Sequence, residues 1–236
     1  PNTGQAFVGK TSRNKIPANL YRIWHDPFAL PKDTKNVSSR DSLGAFYVYE
    51  RNNNFTPGFG DRIVAAFVGR PSTTDEFNEI MFKAADYYNA IILFENDRGD
   101  VFNYAKNHKR LHQLADEPEI IWKKALQGKK VGRKKGISIN TPRKLDGVVY
   151  LRDWLIQRRG KDDFGGNLLN LHYIYDEAFL KELLRFNLDK GNFDRVSAGI
   201  VGQYDIKEQF QVDIKKPVEV TDGTSIFDRP LFGNKK

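Results

Sequence analysis

Ala90-Ile91-Ile92-Leu93-Phe94 (AIILF) runs directly into Glu95-Asn96-Asp97-Arg98-Gly99-Asp100. Five apolar residues in a row leave no solvent-facing side, which is the pattern of a central, parallel strand covered on both faces. The elements around it follow from local chemistry. Upstream, Thr73-Thr74-Asp75-Glu76 has the form of a capping box, and Phe77, Ile80, Met81, Ala84 and Tyr88 recur at helical spacing, so an amphipathic helix packs on the sheet. Downstream, Val101 to His108 reads as a second helix with Asp100 placed to cap it. Further upstream, Leu20 to His25, Leu43 to Tyr49 and Arg62 to Val68 are rich in β-formers. Pro31 to Arg40 and Asn52 to Asp61 join them as loops, giving a three-stranded antiparallel meander. Meander, helix, buried strand and helix together specify an α/β domain with a mixed sheet flanked by helices.

Beyond this unit, 115–140 carries a weak signal and reads as an exposed hairpin or mobile basic loop. Leu145 to Arg158 reads as a helix and Asp162 to Asn170 as a loop. Asp176 to Phe186 reads as a helix with Phe179, Leu180, Leu183 and Leu184 on one side. Gly191-Asn192 breaks the chain, and Asp194 opens a last helix through Val196, Ile200, Val201 and Tyr204. No internal repeat divides the chain. The expected organisation is a linker or short first strand over 1–15, one domain over 16–212, and a tail over 213–236.

The 236 residues are 39% hydrophobic and 13% aromatic, enough to bury one substantial core. They include no cysteine, which excludes disulfides, thiolate metal sites and a cysteine nucleophile. No apolar run is long enough for a membrane span, and the start lacks both an initiator methionine and a signal-peptide pattern; a soluble piece of a longer chain is expected. A formal net charge of +8 favours a polyanionic partner. Lys129, Lys130, Arg133, Lys134 and Lys135 cluster among glycines, and Arg158, Arg159 and Lys161 form a second group; these are the candidates for nucleic-acid backbone contacts.

GQAFVGKT, residues 4 to 11, fits the phosphate-loop template G-x-x-x-x-G-K-[ST] at every fixed position. A working loop needs a buried strand before it and a helix after it. Only three residues precede Gly4, and Pro17 would interrupt the helix, so a short strand Gln5 to Val8 followed by a turn is the expectation, with no nucleotide site.

Chemistry is expected where regular elements end. Asp26 closes the first strand in HDPF, Glu95 closes the buried strand, and Asp194 opens the last helix. If the two strands are neighbours, Asp26 and Glu95 emerge at one sheet edge, which Asp194 can reach from the side. Three carboxylates form an oxygen donor set suited to Mg²⁺ or Mn²⁺, and two such ions support in-line phosphodiester hydrolysis. Taken singly, each acid also has an ordinary reading as turn former, solvated strand end or helix cap. His25, His108, His112 and His172 show no metal-ligand spacing, and no G-x-S-x-G elbow is present.

HDPF, RDSLGAFYVYE, FVGRPSTTDEFNEIMFKAADYYNAIILFENDRGD and ELLRFNLDKGNFDRVSAGIVGQY, in that order across about residues 16 to 210, resemble the nuclease domain of the large terminase subunit of tailed bacteriophages. The resemblance implies a ribonuclease-H-like fold and a metal-dependent endonuclease that cuts concatemeric double-stranded phage DNA during packaging. It implies Asp26, Glu95 and Asp194 as catalytic metal ligands and Asp97 as a candidate auxiliary ligand, with Asp100 a further candidate and Asp41 near an acidic position of the family. It also implies an ATPase motor upstream, a portal protein and a small terminase subunit as partners, and action in the host bacterial cytoplasm and transiently at the procapsid portal. Where many relatives carry two adjacent acids, this chain has Phe193-Asp194. The alternatives are a ribonuclease-H-like resolvase, transposase or hybrid nuclease, and a non-catalytic DNA-binding packaging module.

Overall fold

A computed structural model describes residues 5–8, 11–14, 16–28, 42–53, 60–97, 100–126, 132–188 and 191–214. Asp41, Lys129, Lys130 and the tail beyond residue 214 lie outside the described residues. Strands β1 (Gln5–Val8) and β2 (Thr11–Asn14) pair antiparallel, so Thr11, the last residue of the phosphate-loop match, opens a strand and not a helix.

The main sheet has four strands. The three-strand meander consists of β3 (Tyr21–Asp26), β4 (Gly44–Glu50) and β5 (Arg62–Gly69), and β6 (Ile91–Phe94) pairs parallel with β3, giving the order β5-β4-β3-β6. The expected α/β architecture with a mixed sheet flanked by helices is therefore present. One detail differs: β6 is the last of the four strands, not a central one. Its outer edge is satisfied by irregular chain, with parallel bridges from Ile92 to Leu114 and from Glu95 to Ile137. Ala115 and Ile137 donate backbone N–H groups to the Ile92 and Phe94 carbonyls at 2.8 Å each. A short strand can thus be apolar on both faces without a regular neighbour on each side, provided its edge hydrogen bonds are met.

Helices cover both faces. On one side, α1 (Thr74–Tyr88) and α2 (Val101–Asn107) pack Phe77, Met81, Phe82, Val101 and Ala105 against Ile23, Phe46, Val48 and Ile92. Thr73 caps α1 as its sequence requires, accepting from Glu76 N at 3.1 Å, while Glu76 reaches back to the N–H of Ser72. Asp100 stands at the start of α2 but its side chain makes no capping bond: its backbone is left-handed, and Asn103 donates to its carboxylate instead.

On the other side lie α4 (Thr141–Leu155), α5 (Glu177–Arg185) and α6 (Asp194–Ile214). Trp24, Tyr47 and Tyr49 of the sheet meet Leu151, Trp154, Phe179, Val196 and Ile200 there. Trp24 stacks on Tyr49 with ring centroids 4.4 Å apart, and each such buried aromatic contributes about 2–3 kcal/mol of transfer free energy. Leu184, expected on the buried side of α5, is 89% exposed.

Two segments differ from expectation. The stretch 115–140 contains a helix, α3 (Glu119–Leu126), between ends that pair through Asp116 and Lys135. The expected loop at Asp162 to Asn170 includes half of a hairpin, β7 (Arg158–Lys161) with β8 (Asn167–Leu169), whose left-handed Gly165 makes the turn. Among the described residues, no helix is long and apolar enough to cross a membrane.

Candidate functional site

The parallel register pairs Ile23 with Ile92, Trp24 with Leu93 and His25 with Phe94. Asp26 and Glu95 are the next residues along each strand, so both leave the sheet at its carboxyl edge side by side. They are 8% and 7% exposed. Glu95 is held in place by its bridge to Ile137.

Asp194 arrives from the first turn of α6. Three restraints set its position. Close packing seats α6 on the sheet, because Gly202 lies flat against the Trp24 indole. From α5, Glu182 accepts from Val196 N at 2.9 Å. Arg195 pairs with Asp176 at 2.9 Å, and Asp176 accepts from Tyr47 OH at 3.0 Å. The chain entering β4 supplies the third restraint: Leu43 N and Ser42 Oγ donate to the two Asp194 carboxylate oxygens at 2.9 and 3.3 Å. Arg70 in turn fixes Ser42 by donating to its carbonyl at 2.8 Å.

Asp26, Glu95 and Asp194 line one pocket of about 200 Å³. Partial burial raises the pKa of Asp194 above the ordinary aspartate value, opposed by the Leu43 and Ser42 hydrogen bonds and by the positive charges of Arg195 and Arg70. Burial likewise raises Glu182. The pocket also includes Ser42, Lys144 and Ser197, which sequence reading did not single out. Ser197 lies on α6 one turn after Asp194, a helical spacing that the sequence shows, whereas Ser42 and Lys144 arrive through the packing of the β4 entry and α4, which no local spacing signals.

The donor set is three carboxylates at an open cleft, the chemistry of a hard divalent cation. As the side chains lie, no three acidic or histidine groups among the described residues stand close enough to hold one ion together. Asp97 does not line the pocket; it is exposed and accepts a hydrogen bond from Ser138 Oγ. His25, beside Asp26 in sequence, turns to the opposite face and packs on Phe77.

The basic candidates lie elsewhere. Arg133 and Lys135 line a second pocket of about 480 Å³, with Arg22, Arg51, Asp205 and Glu208, toward the other end of β3 and β6. Their charges are committed: Arg133 pairs with Glu208 at 2.7 Å, Lys135 with Asp116 at 2.8 Å, and Arg22 with Asp205 at 3.4 Å. Lys134 is exposed. Arg158 is exposed on β7, whereas Arg159 is half-buried over the Tyr173 ring and donates to the Gly60 carbonyl. None of these lines the carboxylate pocket. Arg22, Arg133 and Lys135 of the larger pocket are paired with acids, so the smaller one, where acids gather, is the better candidate for catalysis.

No family model matches the sequence, and no curated protein matches it significantly.

Proposed function

We propose that this chain is a divalent-metal-dependent DNA endonuclease of the ribonuclease-H-like kind, the nuclease part of a phage large terminase subunit that cuts concatemeric double-stranded DNA during packaging. One observation carries the reading: Asp26, Glu95 and Asp194, from two parallel strand ends and a helix start, face a single pocket at the carboxyl edge of the sheet. These three would hold Mg²⁺ or Mn²⁺, and the proposal is for two ions. The chemistry such ions supply when bound is charge stabilisation at the phosphodiester and a lowered pKa for water.

The chain's own groups do the rest. Asp26 and Glu95 present their carboxylates from a rigid sheet edge. Asp194 closes the opposite side, and Ile139, Phe193, Ile200 and Val201 contribute the apolar part of the lining. The excess of positive charge favours duplex DNA as substrate, at a salt-sensitive affinity. In the full-length protein the partners would be an upstream ATPase motor, the portal protein and the small terminase subunit, in the host cytoplasm.

A second reading is favoured by one observation: both Asp194 oxygens are already engaged by Ser42 and Leu43, as expected of a purely structural tie between α6 and the β4 entry in a non-catalytic DNA-binding module. Incubation of supercoiled plasmid with Mn²⁺, Mg²⁺ or EDTA separates the two. Metal-dependent nicking and linearisation, lost in Asp26→Asn, Glu95→Gln and Asp194→Asn, is the expected result. Salt-sensitive DNA binding without cleavage under any metal would leave the binding module. Faster cutting of branched DNA or RNA/DNA hybrid than of linear duplex would point to a resolvase, transposase or hybrid nuclease.

A further inference from the structure

Among the described residues lining the carboxylate pocket, Lys144 is the one cation. It lies near the start of α4, where its N–H bonds the Asn140 carbonyl at 2.8 Å, and its side chain is half-buried. Contacts on either side fix the helix there. Tyr204 OH donates to the Arg143 carbonyl at 2.5 Å, and Gly147 lies so close to Ile200 that a Cβ would meet its Cγ2 at 2.6 Å. Both partners belong to α6, the helix that carries Asp194, so Lys144 and Asp194 are set on one rigid pair of helices.

The arginines nearby are occupied in holding structure. Arg143 donates to the Ser138 carbonyl, Arg195 pairs with Asp176, and Arg70 binds the Ser42 carbonyl. By contrast, no hydrogen bond or ion pair ties the Lys144 ammonium to another described residue. A lysine that lines the same pocket as three acids, with no hydrogen bond or ion pair to any of them, can offer a point charge and three donors to whatever enters the cleft.

We propose that Lys144 is a catalytic residue of this pocket, its ammonium engaging a non-bridging oxygen of the phosphodiester and supplying part of the positive charge that the acids and the dianionic transition state require. The proposal rests on the nuclease reading above. It has two consequences of opposite sign. Lys144 competes with divalent ions for the field of the carboxylates, so removing its charge tightens metal binding. It also stabilises charge that grows at the phosphate, so removing it slows cleavage. A merely structural lysine would produce neither pattern.

The test compares the full chain with Lys144→Gln and Lys144→Arg, each checked for wild-type thermal unfolding. Mn²⁺ binding is followed by electron paramagnetic resonance without DNA, duplex affinity in Ca²⁺, and plasmid cleavage in Mn²⁺. For Lys144→Gln the expected results are Mn²⁺ affinity raised several-fold, a single-turnover rate lowered on the order of 10²-fold, and duplex affinity changed less than about threefold. Lys144→Arg should recover part of the rate. If Lys144→Gln cleaves and binds Mn²⁺ as the wild type does, while Asp26→Asn abolishes cleavage, the role of Lys144 is overturned and the nuclease reading stands. If the wild type cleaves nothing with any metal, both fall.

Discussion

Asp26 and Glu95 occupy equivalent positions on neighbouring parallel strands, one residue beyond the His25–Phe94 pair. The backbone of a sheet cannot shift to compensate for a shorter side chain, so each carboxylate reaches a fixed point in the cleft. Glu95→Asp keeps the charge and withdraws it by one methylene. If the acids act together as proposed, cleavage falls on the order of 10²-fold while the unfolding temperature stays near that of the wild type. Wild-type rates in Glu95→Asp, measured as single-turnover plasmid cleavage, would remove Glu95 from the reacting centre.

The seat of α6 is the second vulnerable point. A Cβ at residue 202 would collide with the Trp24 indole, whose ring is buried between Tyr49 and Trp154 and has no room to move. Gly202→Ala should therefore cost about 2 kcal/mol, an overpacking penalty equivalent to roughly 5 °C in Tm for a chain of this size. Calorimetry checks it directly. A loss below 1 °C would mean that the helix lifts away without strain.

These sites explain how far the sequence could be read. The meander, α1 and β6 were legible because apolar spacing and capping residues act locally, and Asp26, Glu95 and Asp194 were legible because each terminates such an element. Lys144 was not: its place in the cleft follows from Gly147 lying against Ile200, a contact between residues 53 positions apart in sequence. Neither strand of the β7–β8 hairpin is legible, because Arg158-Arg159-Gly160-Lys161 carries no β-forming side chain and β8 falls within the expected loop Asp162 to Asn170. Its pairing is stabilised from outside, by Arg159 stacking on Tyr173 and by Asn170 N–H bonding the Gln157 carbonyl. In α3, Ile120 and Ile121 were obscured by the basic, glycine-rich residues that follow, yet Ile121 packs with Leu93 and Val201.

His25 offers a test of the fold that is independent of function. It is fully buried, neither ring nitrogen has a hydrogen-bond partner among the described residues, and burial lowers its pKa to about 3. Below pH 6.5 the unfolded chain takes up a proton at this residue that the folded chain refuses, so stability falls as pH drops toward 3. His25→Phe, which keeps a ring against Phe77, abolishes that uptake. The stability of the variant relative to the wild type should grow by about 1.4 kcal/mol per pH unit below pH 6.5. A gap independent of pH in urea titrations would show that His25 is protonated in the folded protein.

Asp194 should behave in the opposite sense with pH, because its folded-state pKa is raised and not lowered. Below the unfolded pKa both states hold the proton, and the carboxyl imposes no ionic cost. As pH rises between the unfolded and the folded value, the unfolded chain ionises first and stability declines; above the folded value the full cost is present. Asp194→Asn keeps an acceptor for Leu43 N or Ser42 Oγ and cannot ionise. Its unfolding temperature relative to the wild type should therefore climb from acid toward neutral pH and then level off, while metal-dependent cleavage is lost at every pH. A carboxylate that weakens the fold at neutral pH is what a site held for function predicts, whereas a tie held for stability predicts the reverse. Thermal unfolding of both proteins from pH 3 to pH 8 decides between them: a variant that loses ground to the wild type as pH rises would assign Asp194 to structure.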